Sequence, residues 1–256
     1  MPFREYRYRM FDSSALPVTA LAEDYGNGDV TPRHQHPNAQ LIHAVRGVMV
    51  VETDFGQWIV PPTRGLWMPG GIGHRIRMVG EVEMRTAYIN NNAAPGLPTH
   101  CVVLKISSLL RELIVAAIDI ALPYESDSRA GLLARLLIEE MQQMATLPLH
   151  LPMPSDKRLL DICNTISTMP GDNTTAVEWA RRLHVDPKTI QRLFLRETGM
   201  NFAQWRTQAR LLVALERLAA GEKVLSVAIE LGYDSPSAFA TMFRKQFGVA
   251  PSKFFE

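Results

Sequence analysis

The sequence predicts an α+β protein with an antiparallel β-barrel at the N-terminus, a helical segment after it, and an all-α domain with two helix-turn-helix units. Three patterns indicate this class: β-rich runs broken by turn residues up to about residue 100, apolar residues at helical spacing from 104 to 146, and one helix-turn-helix pattern found twice between 180 and 248. The predicted boundaries are 1–100 for the barrel domain, 101–147 for the helical segment, 148–155 for a linker and 156–256 for the helical domain.

The first hundred residues contain short runs of β-branched and aromatic residues, among them 41–46, 48–51 and 57–60. Glycines and prolines separate these runs at fairly regular intervals, for example at Gly47 and at Pro61-Pro62. Short strands with regular turn signals are typical of a small antiparallel barrel.

Three histidines stand out in this region. His34 and His36 alternate along one predicted strand and should point to the same side, while His74 follows a Pro-Gly-Gly turn and should come from a strand nearby. Together with Gln40 and Gly47, the first two resemble the first motif of the cupin family, and residues 69–74 resemble its second motif.

Three imidazoles that converge on one cavity could bind a divalent transition-metal ion. The resemblance implies a carboxylate where Gln40 stands and a further ligand where Met78 stands, so the sequence departs from the cupin ligand set at both positions. Three interpretations of the histidines therefore stay open: metal ligands, the lining of an effector pocket, or side chains that satisfy buried hydrogen bonds.

An effector pocket in the barrel would draw on the histidines and on nearby aromatic side chains. The aromatic residues could equally be plain core of the barrel. The candidate effector-binding residues are His34, His36, Gln40, Trp58, Trp67, His74 and Tyr88, with His34, His36 and His74 as candidate metal ligands.

Apolar stripes in the helical segment run from Leu109 to Ile118 and from Leu132 to Met144. Stripes of this width need a partner, which could be the barrel or the same helices of a second subunit. The stretch 147–154 then carries three prolines and has no periodicity, which is typical of a semi-rigid linker.

The duplicated pattern begins at Ala180 and again at Ala228. The offset between the copies is 48 residues up to Leu183 and Leu231 and 49 residues afterwards, so one residue is inserted in the second turn. A small residue lets the two helices of each unit cross closely, and each second helix has a capping residue followed by proline at its start. A capped, duplicated helix-turn-helix is more specific than amphipathicity alone, and it indicates a bipartite DNA reader.

Residues on the outer faces of the two second helices are polar or basic and are the candidate DNA contacts. Because Pro236 and Ala238 are poor hydrogen bonders, the second helix is expected to read less sequence than the first and mainly to hold phosphate. The candidates are Lys188, Thr189, Gln191, Arg192 and Arg196 on the first helix and Ser237, Thr241, Arg244 and Lys245 on the second.

Residues 157–256 resemble the AraC/XylS family of transcriptional regulators, most clearly at 210–218, 227–233, 239–245 and 248–254. The resemblance implies a seven-helix domain whose two recognition helices enter successive major grooves about 34 Å apart. It also implies a homodimer formed through the helical segment, a small-molecule effector bound by the barrel, and RNA polymerase as a partner.

Charge and composition agree with this interpretation. Residues 157–256 carry 14 Lys/Arg and 10 Asp/Glu, whereas the rest of the chain carries 13 and 16, so the basic excess lies with the repeat. The start of the chain, Met1 to Met10, has three arginines without an apolar run after them, and we expect a cytoplasmic protein without membrane association. Cys101 and Cys163 lack metal-site spacing and are expected to be free thiols.

Two functions follow from these patterns. The first is a sequence-specific transcriptional regulator, activator or repressor, that senses a small molecule through its cupin-like domain. The second is a metal-dependent cupin enzyme with an accessory DNA-binding domain, which the missing carboxylate disfavours. The sequence offers no Ser/His/Asp arrangement, carboxylate pair or phosphate-binding glycine loop, so we expect no enzyme.

Overall fold

The structure, a computed structural model, describes residues 10–147 and 149–254. Residues 1–9, which hold most of the arginine-rich start, lie outside the described residues, as do Pro148 of the predicted linker and residues 255–256 of the helical domain. The chain divides into two compact units, residues 1–54 with 58–149 and residues 55–57 with 150–256. The first is rich in sheet and the second is helical, which confirms the predicted α+β class.

An antiparallel sheet forms most of the first unit. Strands β2 and β5 are the longest and pair from Ala39 opposite Ile89 to Thr53 opposite His74, with register shifts around Arg46. The sheet order is β1-β5-β2-β4-β6-β7, and β3 pairs with β2. The strands are β1 (Val18–Tyr25), β2 (Ala39–Thr53), β3 (Gly56–Val60), β4 (Arg64–Met68), β5 (His74–Ile89), β6 (Val102–Lys105) and β7 (Thr146–Leu147).

Two helices, α1 (Ser108–Ile118) and α2 (Arg129–Gln142), pack on this sheet. Ser107 and Ser128 cap them by accepting bonds from Leu110 N and Gly131 N. The inner faces of the helices join the sheet in one hydrophobic core, whose helical members are Leu110, Leu113, Ile114, Ala117, Ala134, Leu137, Ile138 and Met141. Of the two partners that the sequence left open for these stripes, the sheet is the one observed.

The ends of the predicted helical segment are strands instead of helix. Val103 and Leu104 are buried in β6, which pairs with β4 on one side and with β7 on the other. A four-residue apolar run can form either a strand or the start of a helix, and the exposed edge of β4 decides in favour of the strand.

The structure also differs from the predicted linker, 148–155, because residues from 150 onwards belong to the helical unit. The segment β8 (His150–Pro152) has a buried Leu151, and Trp205 Nε1 donates to the carbonyl of Pro152 at 2.7 Å. Glu197 accepts from the backbone N–H groups of Ser155 and Asp156, both at 2.9 Å. The prolines abolish helical periodicity, which leaves the Pro152 carbonyl and the N–H groups of Ser155 and Asp156 free for these long-range bonds.

Six α-helices and a terminal 3₁₀ turn make up the rest of the described second unit. Its core is continuous through the long helix α6, which contacts α3, α5, α7 and β8. The helices are α3 (Lys157–Thr168), α4 (Ala176–Arg182), α5 (Pro187–Thr198), α6 (Phe202–Ala219), α7 (Val224–Glu230) and α8 (Pro236–Phe247).

Neighbouring leucines of α2 test the packing of this helix on the sheet. Leu137 is fully buried whereas Leu136 is 45% exposed. We expect Leu137→Ala to lower the free energy of unfolding by about 2 to 5 kcal/mol, because it leaves a cavity in the core. At a protein concentration at which the chain is monomeric, Leu136→Ala should change it by less than about 0.5 kcal/mol. Urea unfolding followed by circular dichroism measures both, and equal effects would contradict the observed helix orientation.

Candidate functional site

The two helix-turn-helix units have matching dimensions. Helices α4 and α7 have seven residues each, and α5 and α8 have twelve each. Ala180 and Ala228, at the crossings, are buried, as predicted. The hairpins formed by α4 with α5 and by α7 with α8 are therefore two copies of one structural unit, and α5 and α8 are the recognition helices.

The turn in each copy begins with a left-handed residue. Gly232 has φ +75°, and its counterpart His184 has φ +53°, the one positive φ outside glycine among the described residues. In each copy a backbone N–H then reaches back to the crossing alanine, from Val185 to the Ala180 carbonyl and from Tyr233 to the Ala228 carbonyl. His184 thus carries a conformational strain that glycine avoids, and the shared hydrogen bonds hold it in place.

Both recognition helices begin and end as the sequence predicts. The side chain of Asp186 accepts from Lys188 N, and that of Ser235 accepts from Ala238 N, with proline at the first helical position in each case. Gly199 and Gly248 end the helices in the left-handed conformation. These local signals fix the length of both helices.

The predicted DNA contacts lie on the outer faces of α5 and α8. Lys188, Arg192, Arg244 and Lys245 form no ion pair with the part of the chain that the structure describes, whereas Arg196 pairs with Glu197 at 2.8 Å. The exposed positions are Lys188, Gln191, Arg192, Arg196, Ser237, Thr241, Arg244 and Lys245, and Thr189 is half-buried. Four cations are thus available to phosphates or base edges.

The three histidines of the first unit converge. The ligand atoms of His34, His36 and His74 lie within 4.8 Å of one another. His74 begins β5, as predicted, but His34 and His36 precede β2 and lie outside any long strand, and His34 forms an isolated bridge with His74. A cavity open to solvent lies beside them, with about 130 Å³ of space including that solvent, and it is lined by His36, Asn38, Gln40, Met68, Pro69, Ile72 and His74.

Hydrogen bonds fix the tautomers of these rings. The Nδ1 atoms of His34 and His74 lie 2.7 and 3.0 Å from the carbonyls of Pro32 and Ile72. Nδ1 of His36 lies 2.9 Å from Oδ2 of Asp12. Carbonyls and carboxylates only accept, so each Nδ1 carries the proton and each neutral ring presents an Nε2 lone pair.

Gln40 has an equally defined orientation. The hydroxyl of Thr86 donates to the Leu41 carbonyl at 3.1 Å and therefore accepts from Gln40 Nε2 at 2.9 Å. Gln40 Oε1 is left without a hydrogen-bond partner among the described residues, as are His36 Nε2, His74 Nε2 and Asp12 Oδ1. All four atoms are buried acceptors, so the site matches a cation or a ligand rich in donors.

Burial keeps the two inner imidazoles neutral. It is the largest cause that lowers the pKa of His74 to about 3, and the neighbouring His34 lowers it further. Burial also lowers the pKa of His36, although the hydrogen bond to Asp12 opposes that shift. Neutral imidazole is the form that binds metal ions.

The remaining candidate effector residues do not all reach this cavity. Tyr88 packs edge-on against His36, with ring centroids 5.0 Å apart. Trp67 lies in the core beneath α1 and α2 and donates to the Pro98 carbonyl, and Trp58 is buried outside the lining described above. Trp67 faces away because Met68, its neighbour in β4, takes the cavity side of the pleat. No sequence pattern pointed to Asp12, which reaches the site only through the fold.

Comparison with known proteins adds to this geometry. Residues 16–142 match a family model described as an AraC-like ligand binding domain, and residues 179–256 match one described as a helix-turn-helix domain. The HTH-type transcriptional regulator NimR of Escherichia coli is 34% identical over 230 residues, which cover 90% of this chain and 84% of NimR. The chain belongs to the AraC family of transcriptional regulators.

Further similarities are weaker or cover less of the chain. The arabinose operon regulatory protein of Escherichia coli is 30% identical over 130 residues, which cover 48% of this chain and 42% of that protein. A solved structure of ToxT from Vibrio cholerae aligns over 93% of this chain and 98% of its own, with 10% identity and a TM-score of 0.39.

As a member of the AraC family, the chain has an N-terminal ligand-binding domain and a C-terminal domain that binds DNA. The relatives are transcriptional regulators, in agreement with the first of the two functions drawn from the sequence. Among the described residues, no helix has both the length and the apolar character needed to cross a membrane.

Two substitutions distinguish a residue that contacts a base from a residue that contacts only phosphate. Arg192→Ala should weaken binding to the preferred DNA site by about 1 to 3 kcal/mol and relax selectivity at one base pair, because an arginine fork on a guanine is lost. Arg244→Ala should weaken binding to all sequences alike. Fluorescence anisotropy with a duplex selected from a random pool and with an unselected duplex measures both effects. Equal losses on the two duplexes for Arg192→Ala would show that Arg192 does not read a base.

Proposed function

We propose that the histidine cavity is the sensor site of this regulator and that it binds a divalent transition-metal ion. The observation that carries the proposal is the set of three buried acceptors without a donor at the cavity, His36 Nε2, His74 Nε2 and Gln40 Oε1. Each unsatisfied buried polar group costs about 1 to 3 kcal/mol, and a cation would relieve that cost.

Imidazole nitrogens suit zinc, copper, nickel and iron, and three of them leave room for a further ligand. His34, His36 and His74 would hold the ion through Nε2, and Gln40 would offer a neutral oxygen in place of the carboxylate of cupins. The Nδ1 bonds to Pro32, Asp12 and Ile72 would orient the rings, as second-layer partners do in metal sites. A bound metal supplies an attachment point for an electron-pair donor on a small effector.

The space of about 130 Å³ beside the histidines includes open solvent, so a drug-like ligand would not be enclosed there, and an effector would reach the ion from the surface as a small molecule. We infer that such a molecule completes the coordination of the ion and that occupancy changes the DNA affinity of the helical domain. A role in sensing, and not in catalysis, is supported by the relatives, which are named as transcriptional regulators.

The outer face of α2 supports a homodimer. Leu132 and Leu136 are 54% and 45% exposed and lie one helical turn apart, and Leu109 of α1 is 48% exposed. Their neighbours on the inner face are already buried against the sheet, so these leucines would pack against a second copy of the chain. RNA polymerase as a partner and the cytoplasm as the location are inferred from membership of a family of transcriptional regulators.

Metal binding tests the sensor site. We expect the full chain to bind one Co²⁺ with a visible absorption change, and His74→Ala to weaken that binding by about 100-fold or more, because a direct ligand is lost. Gln40→Glu should strengthen binding, because a carboxylate adds charge to the oxygen ligand.

His100, which is exposed and outside the cavity, provides the matched control, and His100→Ala should bind Co²⁺ like the unmodified protein. Calorimetry measures the affinities, and a gel-shift assay with the selected duplex follows the response of DNA binding to the ion. Absence of Co²⁺ binding, or equal binding by His74→Ala and the unmodified chain, would contradict the metal proposal.

Substitution of the outer leucines tests the dimer. Leu132→Asp combined with Leu136→Asp should convert a dimer into a monomer in sedimentation equilibrium, because charge replaces an apolar contact surface. Both side chains are exposed within the subunit, so its circular dichroism spectrum should not change. A double variant that sediments like the unmodified chain would place the dimer interface elsewhere.

A further inference from the structure

Arg210 lies at the middle of α6 and is buried, although it carries a full charge. Its Nε donates to the Pro170 carbonyl at 2.6 Å, and one terminal nitrogen donates to the Asp172 carbonyl at 3.0 Å and to Asn173 Oδ1 at 2.9 Å. All three acceptors belong to the loop between α3 and α4, which leads into the first helix-turn-helix unit.

The same guanidinium lies over the ring of Tyr233, 5.9 Å from its centroid. Tyr233 belongs to the turn between α7 and α8, so Arg210 touches the second helix-turn-helix unit as well. A planar guanidinium can satisfy several acceptors in its plane while an aromatic ring covers its face. One side chain of α6 therefore contacts elements of both helix-turn-helix units.

The backbones that flank the two helix-turn-helix units also meet directly beside Arg210. A Cβ added to Gly171 would lie 2.6 Å from the Glu230 carbonyl, and one added to Gly232 would lie 2.8 Å from the Gly171 carbonyl. Such distances leave no room for a side chain, so the loop before α4 and the turn before α8 are in close contact. We call this contact, together with Arg210, the junction. Arg206 donates to the Thr174 carbonyl at 3.1 Å and extends the attachment of the loop to α6.

We propose that Arg210 is a positioning residue that sets the distance and rotation between recognition helices α5 and α8, and thereby the half-site spacing that the protein accepts on DNA. Half-sites read by two helices on one face of the duplex lie about one helical turn apart. Inserting one base pair rotates the second half-site by about 34°, so a rigid pair of helices rejects it, whereas a loosely joined pair adapts.

Spacing selectivity provides the test, with the full chain and a bipartite duplex selected from a random pool. Variants of this duplex carry one base pair added or removed between the half-sites, or a scrambled second half-site. The unmodified protein should lose about tenfold in affinity for each altered spacing, because both helices can no longer bind together. The spacing ratio is the affinity for the original duplex divided by that for an altered spacing. For Arg210→Met this ratio should fall from about tenfold to about twofold. Its affinity for the duplex with a scrambled second half-site should stay within about twofold of that of the unmodified protein.

Lys223→Met is the matched control, because it removes one exposed positive charge from the same domain without touching the junction. It should keep the tenfold spacing ratio even if binding to all duplexes weakens. Gly171→Ala tests the junction independently, because its methyl group must displace the Glu230 carbonyl, and it should lower the ratio as Arg210→Met does.

Circular dichroism establishes which variants fold, and Arg210→Lys, which keeps the charge but not the planar fork, replaces Arg210→Met if that variant unfolds. A folded Arg210 variant that keeps the tenfold ratio would overturn the proposal. So would a uniform loss on all duplexes, which would mean that Arg210 supports the fold or the charge of the domain and not the placement of its helices.

Discussion

The helical unit depends on α6, which can hold two recognition helices in place because nearly its whole circumference is buried between Gln208 and Leu215. Trp205, Leu211, Leu212, Ala214 and Leu215 are buried at successive angles around the helix axis. A helix buried on all sides has no solvent to satisfy its polar groups, so each buried polar side chain needs a protein partner. Arg210 meets this requirement with acceptors from the loop before α4, and Gln208 reaches the His150 carbonyl at 3.4 Å.

This requirement separates what the sequence could predict from what it could not. The starts of the recognition helices were predicted, because Asp186, Ser235 and the prolines after them act within one helical turn. The junction at Arg210 was not predicted, since its partners lie 37 to 40 positions earlier in the chain. Strand β6 was missed for a similar reason, because its identity depends on the free edge of β4, and four apolar residues carry no period of their own.

The histidine cavity shows the same contrast within a single site. Both histidine motifs were found from their spacing, although the strand expected to carry His34 and His36 is absent from the described residues and the rings converge through a bridge to β5. Asp12 precedes β1 and carries no sequence signal. The cavity therefore has a carboxylate 2.9 Å behind the His36 ring, whereas the cupin motif would place one at position 40. In the proposed metal site this outer partner would retain basicity at His36, while Gln40 would offer an uncharged oxygen.

The two helix-turn-helix copies share their hydrogen bonds but differ at the turn, and this difference has a structural cause. In the second copy Tyr233 lies over Arg210, and Gly232 leaves room for the Gly171 carbonyl at its α-carbon. In the first copy His184 is exposed and takes the left-handed conformation despite its side chain. The second turn is therefore shaped by its contact with the loop before α4. At the 49-residue offset, Lys188 and Arg192 of α5 correspond to Ser237 and Thr241 of α8, which agrees with a division in which the first unit reads sequence and the second unit is held in register beside it.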